Sequence, residues 1–140
     1  MTPPNLAMNA VSTVRDLRAQ VAEWKAEGLR VALVPTMGAL HEGHLALVQQ
    51  VMDVADRVVV SIFVNPAQFA AGEDFDSYPR TLEDDAAKLA STGPHLIYAP
   101  TARDMYPDGF VTEVRLGGPA EGLESEARPH FFHGVALVVS

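Results

Sequence analysis

Two short apolar runs separated by a helical pattern constrain this chain more than any other feature. Arg57 to Phe63 (Arg-Val-Val-Val-Ser-Ile-Phe) is the strongest strand signal, dense in β-branched residues that favour an extended backbone. Val31-Ala32-Leu33-Val34 is a second run, long enough for a strand covered on both faces. Between them, from about Glu42 to Ala55, Leu45, Val48 and Met52 recur at helical spacing, flanked by Leu47 and Val51. Strand, helix and strand in succession imply a βαβ crossover, which makes the strands parallel.

The rest of the chain extends that alternation. Met1 to Ala10, with Pro3 and Pro4, reads as a leader. Ser12 is the expected N-cap of a helix reaching about Glu27, with Val14, Leu17, Val21 and Trp24 on one face and Gly28 ending it. Asn65 to Arg80 reads as a long ordered loop. Thr81, with Asp84 three residues on, caps a helix to about Ser91, and Gly93-Pro94 breaks the chain before a strand at His95 to Ala99. A short helical turn is expected near Thr101 to Met105, then a strand from Phe110 to Leu116, stopped by Gly117-Gly118-Pro119. The expectation is an α/β fold, a Rossmann-like parallel sheet with flanking helices, in one domain spanning residues 1–140. The chain closes inside an apolar run, Val135 to Val139, which taken alone reads as a strand. A hydrophobic element without its continuation suggests an incomplete sheet and a truncated domain.

Pro35-Thr36-Met37-Gly38-Ala39-Leu40-His41-Glu42-Gly43-His44 follows the Val31 to Val34 strand and leads into a helix. It therefore lies at the carboxyl end of a parallel strand, where open α/β sheets bind ligands. A helix N-terminus offers unpaired N–H groups and a partial positive charge of ~0.5 e, both suited to phosphate oxygens. Gly38 can adopt a backbone conformation other residues avoid, and Gly43 leaves room for a flat ring against the helix backbone. His41 and His44 share one face or the mouth of the helix, and both could donate hydrogen bonds to phosphates. A His-x-x-His pair could also ligate a metal. No third ligand stands at a useful spacing and His-Glu-x-x-His is absent, so no metal site is assigned.

Composition narrows the function classes. The net charge of −8 shows no basic excess of the kind a nucleic-acid surface needs. With no Cys, disulfide scaffolds, thiol nucleophiles and Cys-ligated zinc are excluded. No stretch approaches the ~20 apolar residues of a membrane span, so the expected location is cytoplasmic and no membrane partner is expected.

His-x-Gly-His in this setting resembles the nucleotide signature of the nucleotidylyl-transferase and class I aminoacyl-tRNA synthetase superfamily. Three blocks narrow the resemblance: Pro35 to His44, Ser61-Ile62-Phe63-Val64-Asn65-Pro66-Ala67-Gln68-Phe69, and Glu73-Asp74-Phe75-Asp76-Ser77-Tyr78-Pro79-Arg80-Thr81. Together they are similar to the pantothenate synthetase family, pantoate–β-alanine ligases. That resemblance implies ATP as co-substrate, accompanied by Mg2+, over Pro35, Thr36, Met37, Gly38, Ala39, Leu40, His41, Glu42, Gly43 and His44. His44 and His41 would be the catalytic pair facing the phosphates. Gln68, Met37 and Asn65 would contact pantoate, and β-alanine would be the second substrate. The family further implies a homodimer for its full-length members. It also implies a lysine-bearing Gly-Lys-Asp segment and a C-terminal lid domain, both absent from this chain, so negligible turnover is expected of it alone. The family's Arg-Pro-Gly-His-Phe reads Arg128-Pro129-His130-Phe131-Phe132 here, so that histidine's role is not transferred. The resemblance also implies a helix from about Phe132, against the strand reading. A transferase acting on a phosphorylated acceptor is the competing enzymatic reading, and a truncated domain without activity the non-enzymatic one.

Overall fold

The computed structural model describes residues 9–65, 82–114 and 131–139. In chain order these hold strand β1 (Ala10–Val11), helix α1 (Val14–Ala26), β2 (Val31–Thr36), α2 (Glu42–Met52), β3 (Arg57–Ile62), α3 (Leu82–Ala90), β4 (Leu96–Tyr98), α4 (Ala102–Met105) and α5 (Phe131–Val139). The strands form one sheet in the order β1-β4-β3-β2, and every pairing is parallel. The α/β expectation from the apolar runs is met.

Alternation along β3 decides what lies on each face. Val58 and Val60 point to one side and join Val34, Leu40, Val48, Ala86, Leu89 and Ile97 beneath α2 and α3. Val59 points to the other and meets Leu96 and Tyr98, on which Leu17, Val21 and Trp24 of α1 and Met105 of α4 pack. All three valines are essentially inaccessible, and each such burial contributes roughly 1.5–3 kcal/mol. That two-sided burial explains why the run Val58 to Val60 is unbroken by a polar residue.

Several boundaries differ from the sequence expectation for local reasons. Ala10–Val11 belongs to the sheet, with Ala10 beside Ile97 and Val11 beside Tyr98, so the leader does not extend to residue 10. The cap of α1 is Thr13 rather than Ser12, because Thr13 Oγ1 accepts the Asp16 N–H at 3.1 Å. β2 continues through Pro35 to Thr36. Arg30 and Thr36 carbonyls accept from Arg57 and Phe63, so even-numbered residues face β3 and Pro35, lacking an N–H, faces the other edge. α2 ends at Met52, short of Ala55. His95 precedes β4, bridging the strands through its backbone N–H to Val58 O (2.9 Å) and its Nδ1 from Val58 N–H (3.1 Å).

Residues 110–114 belong to no strand. The Phe110 ring turns back onto Tyr106 at 5.0 Å, and Val111 is 90% exposed, so the alternating pattern there has no sheet to join. Val135 to Val139 is helical, as the family resemblance implied and the bare composition did not. The expected cap at Thr81 and strand residues Arg115 and Leu116 lie outside the described residues.

Candidate functional site

The carboxyl ends of β2, β3 and β4 surround a cavity of about 390 Å³. Pro35, Thr36, Met37, Gly38 and His44 form its β2–α2 wall, Ser61 and Phe63 its β3 wall, and Tyr98, Pro100 and Met105 its β4–α4 wall. Leu17 and Leu33, with Val135, Val138 and Val139 of α5, make the remaining side apolar. Parallel strands put all their carboxyl ends on one rim, which is why segments far apart in sequence converge here.

The turn from β2 into α2 is held from three directions. Thr36 Oγ1 donates to Ser61 O at 2.9 Å and accepts from Gly38 N–H at 3.3 Å. Gly38 has φ +86°, and Ala39 follows at φ +50°. Asp85 of α3 accepts the Ala39 N–H at 3.0 Å and the Leu40 N–H at 2.9 Å, while Lys88 Nζ donates to Leu40 O at 2.9 Å. The Leu40 side chain is thereby sunk into the core at 2% exposure. Within the segment implied to bind nucleotide, then, Thr36, Met37, Gly38 and His44 line the cavity with Pro35. Leu40 anchors the turn, and Ala39, His41, Glu42 and Gly43 stand outside the lining.

His41 is the N-cap of α2 and His44 its third residue, and they cap each other. Gly43 N–H donates to His41 Nδ1 at 3.0 Å, and His41 N–H donates to His44 Nδ1 at 3.2 Å. The rings lie 4.1 Å apart. With both Nδ1 atoms accepting, the neutral rings carry their proton on Nε2, leaving an Nε2–H donor on each. Burial, aided by His41, holds the His44 pKa below 6.5, against a smaller opposing pull from Asp85. His44 is therefore a neutral donor near neutral pH. The Gly43 position has no spare room. A Cβ there would stand 2.8 Å from His41 Cε1, so the glycine makes space for the capping imidazole.

Asn65, at the exit of β3, is 1% exposed, and its Oδ1 accepts from the Tyr106 hydroxyl at 2.7 Å. Phe63 and Phe110 flank the Tyr106 ring at 6.2 and 5.0 Å. Burial raises the Tyr106 pKa while the Asn65 bond lowers it, so the phenol stays a donor. Gln68, Glu73, Asp74, Asp76, Tyr78, Arg80 and His130 lie outside the described residues. Among the described residues, no group of three or more His, Asp or Glu is placed to hold a metal, and no helix is long and apolar enough to cross a membrane.

Sequence reasoning missed Asp85, Lys88 and Tyr106. Asp85 did leave a signal: in α3, Leu82, Asp85, Ala86 and Leu89 occupy one helical stripe, so an acid sits in a core-facing place.

Comparison with known proteins fits this geometry. Residues 9–140 match the family model described as pantoate-beta-alanine ligase. A pantothenate synthetase of Mesorhizobium japonicum is 57% identical over 130 residues, covering 93% of this chain and 46% of the relative. One from Pseudomonas entomophila is also 57% identical, covering 95% of this chain and 47% of the relative. The crystal structure of pantothenate synthetase from Thermus thermophilus superposes with a TM-score of 0.82 at 48% identity, covering 94% of this chain and 46% of that one. A pantoate-beta-alanine ligase from Francisella tularensis, complexed with beta-gamma ATP and β-alanine, superposes with a TM-score of 0.85 at 35% identity, covering 95% and 51%. The chain thus spans about half the length of the relatives it matches.

Proposed function

This chain belongs to the pantoate–β-alanine ligase family, and from that premise we propose that it forms the nucleotide- and pantoate-binding half of such a ligase. The pantoate carboxylate attacks the α-phosphorus of ATP, the bond to the bridging oxygen breaks, and pyrophosphate leaves. The β-alanine amine then attacks the acyl-adenylate carbonyl, loses a proton, and expels AMP to give pantothenate. The observation that carries this reading is His44, a neutral imidazole at the start of α2 on the wall of the rim cavity.

The His44 Nε2–H donates to phosphate oxygens on which charge builds as the bond breaks, so it stabilises the transition state more than the ground state. His41 is the second donor, and the α2 terminus adds its dipole. Thr36, Met37 and Gly38 form the floor under the nucleotide. Met37 and Gln68 bind pantoate, the Gln68 carboxamide offering both donor and acceptor to a hydroxy acid without repelling its carboxylate. Asn65, expected to share that role, is 1% exposed, lies outside the cavity lining and accepts from Tyr106, so it shapes the exit of β3 instead. Magnesium accompanies the triphosphate. The described residues offer it no cluster of their own. Cytoplasmic location and pairing of full-length copies belong to the same reading.

The test is a titration of the 140-residue chain with ATP, followed through the histidine ring resonances and by calorimetry. ATP should move the His41 and His44 signals and leave His95, at the opposite end of the sheet, in place. His44→Ala should weaken binding about tenfold, the loss of one charge-assisted hydrogen bond. ATP that shifts neither ring in a folded chain refutes the reading.

A further inference from the structure

Asp85 is completely buried, at 0% exposure, and none of the steps above touches it. A buried carboxylate is costly unless its oxygens are hydrogen-bonded, and here each oxygen has a donor, Ala39 N–H on Oδ2 and Leu40 N–H on Oδ1. Both amides belong to the turn that delivers the chain into α2. Ala39 sits there at φ +50°, a region a side chain adopts only when its surroundings impose it. Lys88, one helical turn further along α3, donates to Leu40 O at 2.9 Å. Helix α3 therefore grips the turn at Ala39 N, Leu40 N and Leu40 O. The fit is close: a Cβ on Gly38 would stand 3.2 Å from Asp85 Oδ2. The next residue is His41, whose backbone and ring close the reciprocal cap with His44.

Resting on the ligase reading, we propose that Asp85 is a positioning residue of the nucleotide site. Its carboxylate, seconded by Lys88, sets the backbone of the β2–α2 turn so that the two imidazoles present their Nε2–H groups together. It touches neither substrate nor reacting atoms.

The decisive variant is Asp85→Asn, nearly the same shape but with an NH2 group where one backbone amide needs an acceptor. Asp84→Asn, an exposed neighbour on the same helix, is the control. Nitrogen chemical shifts of the histidine rings, recorded without nucleotide, report which ring nitrogen carries the proton. Calorimetry reports ATP affinity, and circular dichroism reports folding. Asp85→Asn should convert His41 and His44 from a single Nε2–H form to a mixture and weaken ATP about tenfold. Asp84→Asn should do neither. Lys88→Met, which keeps the carboxylate but frees Leu40 O, should shift both readouts the same way by less, and it carries the test if Asp85→Asn does not fold. A folded Asp85→Asn chain with unchanged ring protonation and ATP affinity overturns the proposal, as does an unchanged Lys88→Met chain when the first variant is unfolded. Ring protonation that depends on Asp85 in a chain indifferent to ATP would keep the positioning role and sink the ligase reading instead.

Discussion

Gly43→Ala sets two opposing effects against each other. Gly43 lies in the first turn of α2, where alanine is favoured over glycine by up to ~1 kcal/mol. Opposing this, the new Cβ would stand 2.8 Å from His41 Cε1 and 3.1 Å from its Nδ1. His41 is exposed, so its ring can swing away and relieve the overlap rather than distort the backbone. Swinging away removes the Nδ1 acceptor from the Gly43 N–H, and loss of an N-cap costs ~0.5–2 kcal/mol. The two contributions nearly cancel, so the melting temperature should move by less than ~4 °C either way. Function should move far more, because the displaced ring no longer stands 4.1 Å from His44 and the paired donors are lost. Calorimetric ATP titration of the variant beside the parent should show weaker binding with stability unchanged. A variant that melts several degrees higher, keeps the His41 Nδ1 as acceptor and binds ATP normally would refute the steric reasoning.

Other perturbations have simpler expectations. Leu89→Ala empties a fully buried place beneath the sheet and should destabilise the chain by roughly 2–5 kcal/mol in urea unfolding. Tyr106→Phe removes the 2.7 Å donor from buried Asn65 and should cost about 1–2 kcal/mol; a variant as stable as the parent would show the bond to be dispensable. His95 is held below 6.5 by burial and by Arg57, so the folded chain takes up its proton less readily than the unfolded one. Its contribution is therefore fully present above about pH 6.5 and is lost as pH falls through the lower folded-state value. Urea midpoints between neutral and mildly acid pH should fall for the parent and fall less for His95→Gln.

Local pattern carried most of the fold. The valines of β3 and the helical spacing of Leu45, Val48 and Met52 sufficed for the parallel crossover, because a strand buried on both faces leaves no polar alternation to misread. The readings that departed from the structure lacked a partner in the local window. Ala10–Val11 is two residues long and becomes a strand only because β4 lies beside it. Phe110 to Val114 alternates convincingly, yet Phe110 finds Tyr106 rather than a neighbouring strand. Val135 to Val139 is rich in β-branched residues but presents Val135, Val138 and Val139 along a helix to the cavity wall.

The same distinction applies within the site. His41 and His44 were visible as a pair because their mutual cap is written within four consecutive residues. What makes the turn before them adopt its shape lies 45 and 46 positions further along the chain, in Asp85. A short motif can specify which groups face a phosphate, yet it cannot by itself hold Ala39 at positive φ; that takes a carboxylate brought in by the βαβ winding of the sheet. His-x-Gly-His carries chemistry here only because α3 docks against the same face as α2, placing an acid in a stripe otherwise reserved for Leu82, Ala86 and Leu89. The motif and the fold are thus coupled through one buried side chain, and disturbing α3 should be felt at the imidazoles before it is felt anywhere else on the rim.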